Sequence, residues 1–155
     1  MLHIVLYHPE IPHNTGAAGR LAVATASRLH LIRPLGFSLD EKHLRRTGLD
    51  YWPHVDLRVW DTLEELEAAA EPGARFWYLS TKAQHSLWEP TLPLNDGDYF
   101  VFGPESRGLP ESLLQAHPDR ALRIPMPGPH ARSLNLATSV AITLYEALRR
   151  LTAPA

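Results

Sequence analysis

Short apolar runs alternate with segments of helical periodicity along the whole chain. Apolar runs bounded by polar or turn-forming residues predict strands, whereas apolar residues that recur every three to four positions predict amphipathic helices. The predicted strands are 2–7, 29–33, 57–60, 75–80, 99–102 and 122–124. The predicted helices are 14–28, 38–46, 62–70, 110–116 and 133–151. Because strands alternate with helices, the pattern predicts an α/β fold with a mostly parallel sheet covered on both faces.

Several helix starts carry local signals. Thr62 and Glu65 have the spacing of a capping box, in which the two side chains satisfy free amides at the start of a helix. Ser38 and Ser133 are predicted as N-caps, and Pro110 as a first-turn residue. The final helix carries an apolar stripe flanked by alanines, which suits a core helix and also close packing on a second copy of the chain. The stripe consists of Leu136, Val140, Leu144 and Leu148.

The composition is that of a globular protein with a buried core, since 45% of the 155 residues are hydrophobic and 21% are charged. This length suits one domain, predicted over residues 1–151, with a tail at 152–155. The absence of cysteine excludes disulfides and thiolate metal sites. The first strand lacks the features of a signal peptide, and no apolar run reaches the roughly 20 residues of a membrane helix, so we expect a cytoplasmic protein.

The net charge of −2 gives no general attraction for a polyanion, so nucleic-acid binding requires a local basic patch. One candidate patch contains Lys42, Arg45 and Arg46, with Tyr51 and Trp52 shortly after it. Basic groups beside aromatic rings suit a looped-out RNA base. A solvated helix followed by a core aromatic pair is the structural alternative.

Three loops that follow predicted strands carry polar residues, and ligands of parallel sheets bind beyond the carboxyl ends of the strands. The first loop leads into a helix opened by Asn14 and Gly16. Free amides at a helix start attract an anion, although Asn14 would also serve as a simple N-cap. Arg20 lies nearly two turns further along, within reach of whatever binds at the helix start. The segment matches neither a Rossmann fingerprint nor a Walker A loop.

The other two loops are rich in glycine and proline. The second, Phe102–Pro110, contains two of each directly after a buried strand, which predicts an unusual backbone path. The third, Ile124–Asn135, holds three prolines and a glycine against the start of the last helix. The polar residues of these loops that suit a working site are Glu105, Arg107, Ser133 and Asn135.

Together the three loops resemble the SPOUT methyltransferases, in the branch that methylates ribose 2′-hydroxyls. The shared motifs are an Asn-x-Gly-x-x-x-Arg helix start, a Phe-Gly-x-Glu-x-x-Gly loop and a Ser-x-Asn turn. Here they stand, in the same order, as Asn14-Thr-Gly-Ala-Ala-Gly-Arg20, Phe102-Gly-Pro-Glu-Ser-Arg-Gly108 and Ser133-Leu-Asn135. Residues 1–9, 44–51 and 133–146 narrow the likeness to the small subfamily that modifies the tRNA wobble ribose. The chain departs from its relatives at Ala137-Thr138, where Ser-Asn is frequent.

The resemblance implies a parallel sheet with a C-terminal trefoil knot, S-adenosylmethionine as the cofactor, a tRNA substrate and a homodimer without a metal. The second and third loops would wrap the cofactor. The residues implied to line its pocket are Leu79, Gly103, Ile124 and Ser133. Those implied to bind RNA are Lys42, Arg45, Arg46 and Arg107.

The catalytic residues that the resemblance implies are Asn14, Arg20, Glu105, Ser133 and Asn135. In the family the base role has been given to the arginine that matches Arg20, yet a guanidinium group is effectively always protonated. We therefore expect Arg20 to hold a phosphate and to stabilise negative charge that develops on the 2′ oxygen. Glu105, Ser133 and Asn135 would orient the groups around it.

Other interpretations stay open at this point. His8 and His13 follow the first strand and are possible bases at neutral pH, although a surface or core position is the ordinary role of a histidine. The target could also be another tRNA ribose or a ribosomal RNA ribose. The lack of an added RNA-binding domain argues against the ribosomal target. A flavodoxin-like nucleotide-binding module without catalysis is the alternative from a different class. Arg20 and the Ser133–Asn135 turn argue against that module.

Overall fold

The computed structural model describes residues 1–40 and 50–152. Within these ranges the strands are β1 His3–Tyr7, β2 Arg28–Ile32, β3 Leu57–Trp60, β4 Phe76–Leu79, β5 His85–Ser86, β6 Tyr99–Phe102 and β7 Ala121–Arg123. The α-helices of the same ranges are α1 Pro12–Thr25, α2 Leu63–Ala69, α3 Glu111–Ala116 and α4 Leu136–Thr152. Short 3-10 helices cover Trp52–His54 and Pro118–Arg120.

These strands form one parallel sheet in the order β3-β2-β1-β6-β4-β7-β5. The predicted single α/β unit with a parallel sheet is therefore confirmed. From β1, strands β2 and β3 are added on one side, whereas β4 to β7 lie on the other. The strand order reverses between β1 and β6, and such a switch point leaves a crevice outside the carboxyl ends of the strands. The loops after β1 and β6 border this crevice.

Both faces of the sheet are covered, because alternate side chains of each strand point to opposite faces. α1 and α4 cover one face and contact each other. The buried cluster there includes Ile4, Leu29, Phe100, Val140 and Leu144. On the opposite face α2 completes a second cluster, which includes Val5, Ile32, Leu63, Leu66 and Val101. The packing of α1 against α4 fixes the starts of both helices beside the crevice.

The start of α1 differs from the sequence prediction. The helix begins at Pro12, two residues before Asn14, and Ile11 is the preceding cap residue. Proline is favoured at the first helical position because the amide that it lacks has no partner within the helix. The N-cap interpretation of Asn14 is therefore wrong, and its side chain makes contacts outside the helix instead.

The start of α4 also differs from the prediction. Asn135 immediately precedes the helix, and its Oδ1 accepts a hydrogen bond of 3.2 Å from the Thr138 N–H. Its backbone carbonyl accepts another, of 2.9 Å, from the Ser139 N–H. Asn135 thus caps α4, and the predicted N-cap role of Ser133 is wrong.

Other boundaries follow local backbone geometry. Ala26 has a left-handed conformation with φ of 53° and ends α1, so Arg28 belongs to β2 and not to the predicted helix. Residues 38–40 are not helical, so the predicted helix start at Ser38 is wrong, and its 41–46 part lies outside the described residues. β5 was not predicted, because two residues show no alternation.

The starts of α2 and α3 can also be compared with the signals in the sequence. The Thr62 hydroxyl accepts a hydrogen bond of 3.1 Å from the Glu65 N–H, which confirms the predicted cap of α2. Pro110 lies immediately before α3 rather than in its first turn.

None of the helices in the described part of the chain is long and apolar enough to cross a membrane.

Candidate active site

A cavity of about 490 Å³ opens beyond the carboxyl ends of β4, β6 and β7. Its walls come from the loops after those strands, together with the first turns of α1 and α4. Eight of the residues predicted for the site line it: Asn14, Leu79, Gly103, Glu105, Arg107, Ile124, Ser133 and Asn135. The three loops that were far apart in the sequence therefore share one cavity.

The Glu105 carboxylate lies at the start of α1. Its Oε1 accepts a hydrogen bond of 2.9 Å from the Glu10 N–H, and its Oε2 accepts one of 2.8 Å from the Ile11 N–H. The Asn14 amide donates a third, of 3.2 Å. Negative charge is favoured at a helix N-terminus, where amides lack partners. The anion that the sequence predicted at this helix start is thus supplied by the protein itself.

Asn14 connects this carboxylate to α4. While its Nδ2 donates to Glu105, its Oδ1 accepts a hydrogen bond of 3.0 Å from the Asn135 Nδ2. Asn14 is buried, so an unpaired amide there would be costly. These hydrogen bonds connect the loop after β6, the start of α1 and the start of α4 in one continuous series.

The turn from Gly103 to Leu109 folds back tightly on itself. A Cβ atom at Gly103 would lie 2.3 Å from the Leu109 nitrogen and 2.4 Å from the Gly108 carbonyl carbon, so only glycine fits. Gly108 has φ of 71°, a conformation that side chains disfavour. Its N–H donates a hydrogen bond of 2.9 Å to the Pro104 carbonyl. The two glycines of the sequence motif thus have a steric explanation.

Glu10 and Ser106 were missed by the sequence analysis. The Glu10 carboxylate accepts hydrogen bonds from the Ser106 N–H at 2.8 Å and from the Ser106 hydroxyl at 2.7 Å and 2.9 Å. The Ser106 N–H, followed by its hydroxyl, lowers the pKa of Glu10. We refer to Glu10, Asn14, Glu105, Ser106 and Asn135 as the loop network. A carboxylate in the first loop was the only available signal for Glu10.

Arg20 lies outside the lining of this cavity. Its side chain is exposed on α1, and its guanidinium carbon is 5.8 Å from the centroid of the Tyr51 ring. The Tyr51 hydroxyl donates a hydrogen bond of 2.9 Å to the Gly16 carbonyl, which anchors the ring on α1. Within one copy of the chain, Arg20 is thus separate from the other predicted catalytic residues.

The remaining candidates are distributed around the site. Lys82, another residue that the sequence analysis missed, lines the cavity after β4. His8 follows β1 with φ of 50°, and burial, together with the nearby Arg107, lowers its pKa. His8 and His13 lie outside the cavity lining. The predicted RNA-binding residues Lys42, Arg45 and Arg46 lie outside the described residues.

Across residues 1–40 and 50–152, no group of three or more His, Asp or Glu side chains is arranged to hold a metal ion. The side chains that line the cavity include amides, hydroxyls, the Glu105 carboxylate and the cations of Lys82 and Arg107.

Comparison with known proteins places this site in a family. The model of the SpoU rRNA Methylase family matches residues 1–145. The tRNA (cytidine(34)-2′-O)-methyltransferase of Methylovorus glucosotrophus is 50% identical over 153 residues, which cover 97% of this chain and 96% of the relative. The protein of the same name from Escherichia coli is 47% identical over 156 residues, with coverages of 99% and 96%.

A solved structure described as "Structural insights into the 2-OH methylation of C/U34 on tRNA" has a TM-score of 0.90 and 53% identity to this chain. The match covers 99% of this chain and 98% of that one. The likeness inferred from the three loops is thereby confirmed across almost the full length. This chain belongs to the SpoU rRNA Methylase family.

Proposed function

We propose that this chain transfers the methyl group of S-adenosylmethionine to the ribose 2′-hydroxyl of the pyrimidine at the wobble position of tRNA. In this reaction a carbon–oxygen bond would replace the carbon–sulfur bond of the cofactor, the hydroxyl proton would pass to solvent, and S-adenosylhomocysteine would be the product. The observation that carries the proposal is that residues from all three family motifs, Asn14, Gly103 to Gly108, and Ser133 with Asn135, line one cavity. Relatives named for the same reaction at position 34 match nearly the whole chain.

The cavity suits the cofactor in size and in lining. Its volume of about 490 Å³ falls in the range of small-molecule sites. Leu79 and Ile124 supply apolar surface, and Gly103 brings backbone to the wall without a side chain. We assign Leu79, Gly103, Ile124 and Ser133 to the cofactor. When bound, S-adenosylmethionine supplies an activated methyl group, so the protein must position the hydroxyl and assist loss of its proton.

Glu105 and the two asparagines act by orientation. Both oxygens of the Glu105 carboxylate accept hydrogen bonds from α1 and the segment before it, so the group is committed to holding the loops. Asn14 and Asn135 extend that hold to α4. Arg20 carries the electrostatic role, because its guanidinium stays protonated and stabilises charge on the 2′ oxygen or an adjacent phosphate.

A homodimer through α1 and α4 accounts for two features of this surface. Arg20 lies outside the cavity of its own chain, and a second copy packed beside α1 would enclose it. Large apolar side chains are exposed on or next to the two helices: Ile11, Val23, Leu134 and Tyr145. The test is light scattering at micromolar concentration, for which we expect twice the chain mass of 17.4 kDa. A mass of one chain would contradict the dimer.

The finer features of the family belong to the same proposal. We propose a trefoil knot in which the 102–110 and 124–135 segments wrap the cofactor. We also propose one catalytic domain over residues 1–151, a tail at 152–155, and action in the cytoplasm. Lys42, Arg45, Arg46 and Arg107 are assigned to the anticodon stem-loop, where phosphate contacts position the RNA.

The activity test is methyl transfer from S-adenosylmethionine to total tRNA, followed by nuclease mapping and nucleoside mass spectrometry. We expect 2′-O-methylated cytidine or uridine at the wobble position only. The Arg45→Ala/Arg46→Ala variant should bind tRNA more weakly and with a smaller salt dependence, while S-adenosylhomocysteine binding stays unchanged. Arg58→Ala/Arg149→Ala removes two exposed arginines elsewhere and serves as the control.

Calorimetry separates this proposal from a nucleotide-binding module. S-adenosylhomocysteine should release heat and raise the melting temperature, whereas flavin mononucleotide should do neither. Methyl groups on a base, or on a ribose outside the anticodon loop, would reject the wobble assignment but keep the methyltransferase activity.

A further inference from the structure

Two carboxylates cross the gap between the segment before α1 and the turn after β6. Glu10 accepts hydrogen bonds from the N–H and the hydroxyl of Ser106. In the opposite direction, Glu105 accepts from the N–H groups of Glu10 and Ile11. Each carboxylate is therefore bonded to the backbone of the segment that carries the other.

The turn between Gly103 and Leu109 keeps its own shape. Gly103 packs against the backbone of Gly108 and Leu109, and the Gly108 N–H closes onto the Pro104 carbonyl. The bonds across the gap therefore decide where this rigid turn lies relative to α1. Because Ser106 lines the cavity, any displacement of the turn moves a cavity wall.

Glu105 attaches the turn to the start of α1 through the side chain of a single residue. Glu10 adds a second attachment at the adjacent Ser106, so the turn is held through two neighbouring residues. We propose that Glu10 is a positioning residue, which acts through Ser106 to hold the 103–109 turn closed against the start of α1. This inference rests on the proposed function, in which the cavity binds S-adenosylmethionine.

The expected effect lies in how long the cofactor stays bound. Hydrogen bonds to an ionised carboxylate are stronger than neutral ones, but here Ser106 is exposed to water and Glu10 is partly exposed. We expect Glu10→Ala to accelerate S-adenosylhomocysteine dissociation about fivefold to twentyfold, with little change in the association rate. The KM for S-adenosylmethionine should rise more than kcat falls.

The experiment compares four variants by stopped-flow binding of S-adenosylhomocysteine and by hydrogen exchange of the Ser106 amide. Glu10→Ala removes every hydrogen bond between the Glu10 carboxylate and Ser106. Glu10→Gln keeps an acceptor without the charge, and Ser106→Ala removes only the bonds of the hydroxyl. The double variant Glu10→Ala/Ser106→Ala tests whether the two side chains act through each other. Glu111→Ala, an exposed carboxylate at the start of α3, is the matched control.

Support requires a graded series. Glu10→Gln and Ser106→Ala should show intermediate dissociation rates, the double variant should match Glu10→Ala, and Ser106 amide exchange should accelerate in Glu10→Ala. Should Glu10→Ala fold poorly, Ser106→Ala provides the same comparison with a smaller change. Equal effects of Glu10→Ala and Glu10→Gln, together with no effect of Ser106→Ala, would mean that only the charge matters and would overturn the inference.

The cofactor assignment and the role of Glu10 fail in different ways. If the unaltered protein does not bind S-adenosylhomocysteine, the proposed function and this inference both fall. If the unaltered protein binds it and Glu10→Ala releases it at the unaltered rate, only the role of Glu10 is rejected.

Discussion

Two groups of polar side chains link distant parts of this chain, and they lie in contrasting surroundings. The loop network borders the cavity at the carboxyl ends of the strands, where its two carboxylates are partly exposed to water. The second group is a buried histidine pair, His3 on β1 and His30 on β2, on the face of the sheet that α2 covers. The loop network positions a site, whereas the histidine pair is enclosed in the fold.

The histidine pair is held by aromatic neighbours and one directed hydrogen-bond chain. The Trp60 indole N–H donates to His30 Nδ1 at 3.0 Å, so the proton of neutral His30 resides on Nε2. That Nε2 is 2.9 Å from His3 Nδ1, which accepts from it. His3 also stacks on Tyr99, with ring centroids 3.9 Å apart. Both hydrogen bonds, from Trp60 to His30 and from His30 to His3, require neutral imidazoles.

The contrast between the two regions predicts separate phenotypes. Changes in the loop network and at Arg20 should reduce catalysis while the protein remains folded. Changes in the histidine pair should alter stability, and its dependence on pH, while catalysis near neutral pH persists. Measuring both properties for each variant tests whether the division holds.

The largest effect is expected at Arg20. Arg20→Ala should lower kcat for tRNA methylation by about a hundredfold or more, because the developing charge loses its fixed cation. Arg20→Lys should retain part of the activity, since it keeps a cation without the planar fork. Calorimetry should find nearly unchanged S-adenosylhomocysteine affinity in both. A large loss of cofactor affinity in Arg20→Ala would instead place this residue in the cofactor site.

Glu105→Ala should have the next largest effect. Its loss frees the Glu10 and Ile11 amides and the Asn14 side chain, so the loops lose their common partner. We expect about a tenfold to hundredfold fall in kcat/KM, because small misplacements of reacting groups are costly. The melting temperature should fall modestly, because the buried Asn14 amide loses a partner while the sheet and its two clusters stay intact. A steep fall in melting temperature with normal activity at lower temperature would remove the contrast between the two regions.

The sequence predicted the residues of the loop network better than it predicted the contact between the two histidines, for a physical reason. Glycines, prolines and polar residues after apolar runs mark the carboxyl edge of a parallel sheet, so Asn14, Glu105 and Asn135 could be grouped in advance. His3 and His30 meet only because β1 and β2 pair in a register that sets His30 opposite Val5. No local sequence pattern predicts the register in which these two strands pair. For Arg20 the prediction failed in the opposite way. The sequence motif was evident, but within one copy of the chain the side chain lies outside the cavity.

The histidine pair should make stability depend on pH in mildly acidic solution. Burial is the main cause that lowers the pKa of His3 from 6.5 to about 4 and that of His30 to about 3. Below pH 6.5 the unfolded chain binds protons that the folded chain excludes. The stability contributed by the neutral pair is therefore complete above that pH and is lost as pH falls toward about 4.

Urea unfolding at pH 7, 6 and 5 measures this loss. The free energy of unfolding should fall on the order of 1.4 kcal/mol per pH unit for each proton taken up. His30→Gln should show a shallower pH dependence with normal S-adenosylhomocysteine binding at neutral pH. His130→Gln, which changes an exposed histidine, should keep the slope of the unaltered protein. Identical slopes in the two variants would show that other groups control acid sensitivity.

The smallest effect is expected at Tyr51, which touches the catalytic candidate without lining the cavity. Its ring lies beneath the Arg20 guanidinium, and its hydroxyl is anchored on the Gly16 carbonyl. Burial raises the Tyr51 pKa, so the hydroxyl stays protonated and continues to donate near neutral pH. Tyr51→Phe keeps the ring but loses the anchor, and should lower kcat about twofold. Tyr51→Ala loses the cation–π contact as well and should lower it about fivefold.

A double-mutant cycle decides whether Tyr51 acts through Arg20. If it does, Tyr51→Ala should cause no further loss of kcat in the Arg20→Ala background, because the partner that it orients is absent. An additional fivefold loss in that background would instead assign Tyr51 a role of its own, such as direct contact with RNA. Residual activity of Arg20→Ala must be high enough to measure, so single-turnover conditions with excess enzyme are the appropriate format. Unchanged melting temperatures across the cycle would confine the effect to catalysis and place Tyr51, like the loop network, among the residues that position the site.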